Sequence, residues 1–303
     1  MGQDFFHRLC EINSDAGQVL AGEPMSKHTT FRIGGPAKYF CLPKTKEQLS
    51  ATIAACQEAG EDYYILGNGS NILVSDEGYQ GVVIQLFQNM NELRCDNCRL
   101  YAQAGVLLVK AAHQAGQNSL TGMEFASGIP GTIGGALVMN AGAYGGEMKD
   151  IVQEVTVLTR EGKIIKLSRD ELEMGYRTSV IAKKQYIVLD TVIQLSKGDP
   201  KEIEAGMQEL KEARTSKQPL EYPSAGSTFK RPQGYFAGKL IMDAGLRGFQ
   251  IGGAQVSEKH CGFVINTGGA TAQDVLTLIT HVQTEVERQF GVTLEMEIKT
   301  LGL

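Results

Sequence analysis

No stretch of the 303-residue chain approaches the roughly eighteen consecutive apolar residues that a membrane-crossing helix requires. Its start, Met1-Gly-Gln-Asp-Phe-Phe-His-Arg8, lacks the basic opening and long apolar core of an export signal, so a cytosolic protein with no membrane partner is expected. Basic charge is also short. Lys and Arg number 29 against 34 Asp and Glu, a formal net charge of −5, so nucleic acid is disfavoured as a partner and any anionic ligand must be held by local groups. The five His residues and the cysteines at 10, 41, 56, 95, 98 and 261 show no zinc spacing, and no metal is expected. Cys95-Asp-Asn-Cys98 has redox-motif spacing but falls on a polar turn without a companion pair, and free thiols are the expectation in a reducing compartment. Two familiar nucleotide signatures fail too. No G-x-x-x-x-G-K-[ST] occurs, and G-x-G-x-x-G would need glycine at 72, where Ile stands.

What the chain does have is glycine, concentrated. Ala126 to Glu147 reads ASGIPGTIGGALVMNAGAYGGE, with glycine at 128, 131, 134, 135, 142, 145 and 146 and no Lys or Arg before Lys149. A ligand approaching this stretch meets mainly backbone N–H groups, as a pyrophosphate does in a cradle; a run of tight turns is the bland alternative. A second cluster, Gly67-Asn-Gly-Ser-Asn71, lies between the apolar runs 63–66 and 72–76, giving strand, glycine turn, strand.

Around these loops the hydrophobic pattern predicts an α+β chain with 42% hydrophobic and 21% charged residues. A short amphipathic helix is expected over 4–12, and Phe31-Arg32-Ile33 as a strand entering a turn. Thr45-Lys-Glu-Gln48 predicts a capping box opening a helix that Gly60 stops. A helix near 106–115 closed by Gly116 follows, then strands at 151–159, 163–167 and 185–195. Ser168-Arg-Asp-Glu171 reads as another capping box, with Tyr176 to Ser179 in the loop beyond. Asp199-Pro200 opens a helix carrying Ile203, Met207 and Leu210 on one stripe. Later elements are a helix over 236–243, a strand over 262–266 and a long helix from Thr271 to Gly291. In Thr293 to Lys299 alternation predicts Leu294, Met296 and Ile298 inward and Glu295, Glu297 and Lys299 outward.

Gly67-Asn-Gly-Ser-Asn-Ile-Leu-Val-Ser-Asp76, Ser127-Gly-Ile-Pro-Gly-Thr-Ile-Gly-Gly135 and Met139-Asn-Ala-Gly-Ala-Tyr-Gly-Gly-Glu147 closely resemble the two FAD-binding loops of the UDP-N-acetylenolpyruvoylglucosamine reductase (MurB) family. The likeness continues through His28 to Pro36, Gly175 to Ser179, Ala225 to Pro232, Ala237 to Ile241 and Leu294 to Ile298, in family order. It implies a two-part FAD-binding region of the vanillyl-alcohol-oxidase (PCMH) kind, at 1–84 and 85–198, and a third α+β substrate-binding domain at 199–293. The strand 294–303 is expected to return to the first part. It also implies reduction of UDP-N-acetylglucosamine enolpyruvate to UDP-N-acetylmuramate by FAD, with NADPH as hydride donor, and so a role in peptidoglycan synthesis, cell shape and division. The oligomeric state is left open, a monomer being the first expectation.

By the same resemblance, FAD is expected to be held non-covalently by Gly67, Asn68, Gly69, Ser70 and Asn71 of the first loop. Ser127, Gly128, Pro130, Gly131, Thr132, Gly134 and Gly135 of the second loop join them, with Asn140, Gly142 and Ala143 beyond it. Ser227 matches the family's proton donor, Arg177 its enolate-stabilising arginine and Glu297 its catalytic glutamate; read locally, these are a loop serine, a surface arginine and a solvated strand residue. Arg214, Lys217, Lys230 and Arg231 are the local cations for a diphosphate, with Tyr176, Tyr222 and His260 as further pocket residues. Met296 replaces a proline common in the family, and the interval from Ser179 to Tyr186 is too short for the tyrosine loop that some members fold over substrate, which leaves the closing of the pocket open. Two rivals stand beside this reading: a flavin-linked oxidase, against which the first loop offers no tethering histidine, and a sugar-nucleotide-binding protein without chemistry.

Overall fold

The computed structural model describes residues 2–14 and 18–303; Met1, with which the first expected domain begins, and residues 15–17 lie outside the described residues. The chain divides into two units. The larger comprises Met1–Leu20, Tyr39–Asn68 and Gly81–Arg214, the smaller Ala21–Lys38, Gly69–Gln80 and Thr215–Leu303. Among the described residues no helix is long and apolar enough to cross a membrane, and no group of His, Cys, Asp or Glu could hold a metal.

The larger unit is built on a five-stranded antiparallel sheet in the order Ile164–Ser168, Val152–Leu158, Ile187–Gln194, Arg99–Gln103, Leu93–Asp96. At its centre Ile187, Val188 and Leu189 are buried in succession, so both faces are covered. The helices Lys46–Ala59, Leu108–Gln117 and Ile133–Val138 share this core, beside the parallel pair in which Tyr63 faces Val82 and Leu66 faces Gln85. That pair delivers the chain directly into Gly67.

The smaller unit holds the four-stranded sheet Ser224–Ser227, Phe263–Asn266, Ala254–Val256, Gln250–Ile251 and the helix Ala272–Phe290. Thr271 and Asp274 form the helix's capping box, the Asp76 carboxylate accepts the Ala272 N–H at 2.9 Å, and Gly291 ends it in the left-handed region. Val275, Ile279, Val282 and Val286 are buried, each burial contributing about 1.5–3 kcal/mol. Lys299–Leu301 pairs in parallel with Ile72–Val74.

Several local expectations change. Phe31-Arg32-Ile33 is a turn: Arg32 sits at φ 56°, which lets Phe31 and Ile33 both point inward, and the Thr29 hydroxyl closes the turn on the Ile33 carbonyl at 3.0 Å. At Thr45 half the box forms, since Thr45 accepts the Gln48 N–H but the Gln48 amide takes the N–H of Lys44. At Ser168 the other half forms: Glu171 accepts the Ser168 N–H and hydroxyl, and a 3-10 turn follows. Gly116 does not stop its helix, which runs on to Gln117; a Cβ there would make an ordinary 3.4 Å contact with Ile203 and Met207 of the helix Pro200–Lys217. The alternation over 293–299 breaks at one position: Leu294 and Ile298 are buried, Met296 packs on the core and Glu295 and Lys299 are exposed, but Glu297 turns inward. Before the strand that begins at Lys299 the stretch makes a bridge between Phe229 and Met296, and Glu297 is 8% exposed beside buried Ile298.

Candidate active site

In the larger unit the start of the first glycine loop meets the second. The Asn68 amide donates to the Pro130 carbonyl at 2.5 Å, and a Cβ on Gly67 would stand 2.5 Å from the Thr132 hydroxyl. Only glycine permits that approach. Thr132 caps the helix Ile133–Val138 through the Gly135 N–H, and Gly134 packs its bare Cα face against Ala104. The N–H groups of Gly128 and Gly131 have no hydrogen-bond partner among the described residues. Arg214 lays its stem on Gly128, 2.9 Å from where a Cβ would be; burial pulls its guanidinium below its ordinary pKa, with Tyr144 acting the other way. Arginine stays charged, so this is a partly desolvated cation beside a side-chain-free loop.

The loop's far end is tied to the turn carrying Arg177. Asn140, buried and left-handed at φ 46°, donates to the Gly175 carbonyl at 3.1 Å and to Glu147 at 2.6 Å, and accepts the Lys149 N–H at 2.9 Å. Its amide is thus occupied in holding the loop. Gly142 and Ala143 follow in a two-residue strand pairing with Gly146 and Glu147. Ser179 donates to the Val138 carbonyl at 2.6 Å and caps the helix Val180–Lys184. Between these anchors Arg177 adopts φ 55° with its guanidinium 5.2 Å from the centre of the exposed Tyr176 ring. A non-glycine residue held in that region costs on the order of 1–3 kcal/mol and marks a constrained stretch of backbone.

The smaller unit brings Ser227, Glu297 and the rest of the first loop together. Ser224 faces Ile265 and Ser227 faces Phe263, so three steps on one strand match two on its partner. This bulge, with Gly226 at φ 76°, turns Ser227 out to an exposed position. Next to it, buried Thr228 accepts the Glu297 N–H on its carbonyl at 2.8 Å and the Val264 N–H on its hydroxyl at 2.9 Å. The Asn71 amide reaches the Glu297 carbonyl at 3.3 Å, and Lys299 donates its N–H to the Asn71 carbonyl. Gly69, at φ 63°, admits no side chain, since a Cβ would lie 2.0 Å from the His28 carbonyl oxygen; Ser70 is half-buried between them.

The expected basic cluster does not fall in one unit: Arg214 belongs with the second glycine loop, and Lys217, Lys230 and Arg231 belong to the smaller unit. Lys230 is paired with Glu295. Arg231 lies 4.0 Å over the Phe236 ring and donates from Nε to the Tyr235 carbonyl. Lys217 and Tyr222 are exposed. His260 is pushed toward the neutral form by burial, accepts the Gly262 N–H on Nδ1 at 3.1 Å and packs edge-on against Phe263, an arrangement that suits a packed ring better than a cation. Two contributors carried no signal in isolation. Thr30 stood unremarked in the His28 to Pro36 run, and buried Gln85, whose amide donates to the Gly67 carbonyl at 3.3 Å, resembled any strand residue.

The donor-rich loops with Arg214 against Gly128 fit a dinucleotide's pyrophosphate, and Gly67 to Asn71 contain no side chain for a covalent tether. Residues 37–168 match the model of an FAD binding domain and residues 218–301 that of the UDP-N-acetylenolpyruvoylglucosamine reductase C-terminal domain. UDP-N-acetylenolpyruvoylglucosamine reductase of Lachnoclostridium phytofermentans is 54% identical over 289 residues, covering 94% of this chain and 93% of that one. The protein of the same name from Clostridioides difficile is 51% identical over 300 residues, 99% and 98% of the two chains. Among solved structures, the UDP-N-acetylenolpyruvylglucosamine reductase (MurB) of Thermus caldophilus superimposes with a TM-score of 0.80 at 34% identity, covering 94% of this chain and 98% of the other.

Proposed function

We propose, from the premise that the chain belongs to the UDP-N-acetylenolpyruvoylglucosamine reductase family, that it reduces the enolpyruvyl ether of UDP-N-acetylglucosamine to UDP-N-acetylmuramate in peptidoglycan precursor synthesis, with FAD as cofactor and NADPH as hydride donor. The same reading has it serving cell shape and division from the cytoplasm. The three-part division expected from the sequence stands within this proposal, and the pairing of Lys299–Leu301 with Ile72–Val74 supports the return of the last strand.

The observation that carries the reading is the smaller unit's constellation: Ser227 exposed on a bulge, with Glu297 bonded to its neighbour Thr228 and to Asn71 of the first glycine loop. Bound FAD supplies hydride transfer, which no side chain can perform. Ser227 then has to deliver a proton to the other alkene carbon, and the bulge presents its hydroxyl for that purpose. Glu297, drawn out of solvent and tied through its main chain to Ser227's neighbour Thr228, is assigned the orienting of that hydroxyl. Arg177, its backbone held in a left-handed turn, would offer a forked cation to the substrate's carboxylate as enolate charge develops. The loop residues 67–71, 127–135, 140 and 142–143 bind and orient the cofactor through main-chain groups, with Arg214 as the nearby charge.

The purified protein should be yellow, and acid or heat should release all of its flavin into the supernatant, since the first loop offers no attachment point. A colourless protein that binds no added FAD overturns the reading. For the substrate side, Lys217→Ala and Arg231→Ala should each weaken UDP binding by about 1 kcal/mol, near fivefold in Kd, the scale of an exposed ionic contact. Isothermal titration with UDP measures this, and unchanged affinity in both variants would leave the two as solvated surface cations.

A further inference from the structure

We propose that Thr30 is a positioning residue for Ser227, setting the first glycine loop and the proton donor as one piece; the inference rests on the reading of Ser227 as that donor. The Thr30 N–H donates to the Gly69 carbonyl at 3.0 Å and its hydroxyl to the Ser224 carbonyl at 2.6 Å. Both acceptors are main-chain atoms, one in the loop and one in the strand that ends at Ser227.

The position of the second bond matters. Ser224 is the last regular residue before the bulge at Ala225-Gly226 that turns Ser227 outward, and its strand is the edge of the sheet, laddered on one side to Phe263–Asn266. A bulged edge strand is easily displaced. On the open side of Ser224, the Thr30 hydroxyl supplies the bond that a further strand would have made. Thr30 itself stands in a stiff turn. His28 is held by Glu23 through a 3.0 Å contact between half-buried groups, its carbonyl abuts the bare Cα of Gly69, and the Thr29 hydroxyl closes the turn on Ile33. A shift of Ser224 without Thr30 passes three residues along to the Ser227 hydroxyl, and misplacement of a reacting group by about 1 Å costs roughly a hundredfold in rate.

The test is a double-mutant cycle on the FAD-loaded enzyme, with Thr30→Val and Thr30→Ser made in the wild-type and Ser227→Ala backgrounds. Stopped-flow absorbance follows flavin reduction by NADPH and reoxidation by the enolpyruvyl sugar, and titration of the apoprotein gives the FAD Kd. Thr30→Val should slow reoxidation at least tenfold, leave reduction near wild type and raise the FAD Kd severalfold. Thr30→Ser, which keeps the hydroxyl, should restore both quantities. In the Ser227→Ala background Thr30→Val should cost less than a further twofold, because nothing remains for it to position. Thr30→Ala, which presses no methyl on the Ser224 carbonyl, gives the same comparison should the valine variant not fold. Equal losses in both backgrounds would show a structural role and overturn the proposal, as would reoxidation within twofold of wild type in Thr30→Val or Thr30→Ala while Ser227→Ala is slow. If Ser227→Ala itself reoxidises at the wild-type rate, the proton-donor reading fails and takes this inference with it.

Discussion

Ser227→Ala should slow reoxidation of the bound flavin by the enolpyruvyl sugar by about 10² to 10⁴, the usual worth of a positioned general acid, and leave reduction by NADPH near wild type. The two half-reactions separate because hydride delivery to the flavin asks nothing of a substrate acid. Ser227 is exposed at the end of a bulged strand whose buried neighbour Thr228 is fixed by three main-chain partners, Gly262, Val264 and Glu297, so loss of one hydroxyl should leave the fold and the glycine loops intact. Ser227→Cys keeps a donor of lower pKa and should fall between the two. Single-turnover traces decide it: an alanine variant that reoxidises as fast as wild type makes Ser227 a turn residue.

The second large effect is on stability. Gly69→Ala should lower it by roughly 2–5 kcal/mol, the sum of about 1–2 for a left-handed alanine and about 1–3 for overpacking a tight site. The new methyl would lie 2.0 Å from the His28 carbonyl oxygen and 2.9 Å from Thr29 Cα, both main-chain atoms that no rotamer change can move. Gly60→Ala is the matched control. Gly60 has the same left-handed geometry, φ 66° against 63°, but nothing lies within 4 Å of its Cβ position, so only the conformational cost of about 1–2 kcal/mol is expected. Denaturant unfolding of both variants gives the difference, and equal losses would mean that the first loop relaxes around the methyl.

The elements legible in the sequence were those whose signals are local. Thr271 with Asp274, Gly291, Gly60 and Asp199 before Pro200 each announce a helix end through a cap, because the cap residue and the groups it satisfies lie within four positions. The two glycine loops were legible for a related reason, since main chain that must be approached closely needs glycine in place. What escaped depends on distant partners. Glu297 resembled an outward strand residue because the groups its main chain bonds to, Thr228 and Asn71, lie about 69 and 226 positions away in the chain. Gly116 resembled a helix stop, but the helix continues one residue further and is capped at Asn118. Ser227, Arg177 and Glu297 are unremarkable singly. Resemblance to the family drew attention to them, and the bulge that exposes Ser227 and the hydrogen bonds around Glu297 have no sequence signature of their own.

The make-up of the smaller unit bears on how the protein is synthesised. Its core needs Phe31, Ile33 and Leu73 from early segments and the helix Ala272–Phe290 from the last quarter of the chain. Val74 has to wait for Leu301. With translation at about 5–20 residues per second, Ile72–Val74 stays without its partner strand for on the order of 10–45 s after it is made. During that time the larger unit lacks only the part of its sequence still to be translated before Arg214, so it can fold first, while three buried apolar side chains of its neighbour remain bare on the nascent polypeptide. Slow codons or a ribosome stall after Arg214 would lengthen that exposure, and aggregation of stalled chains should begin there.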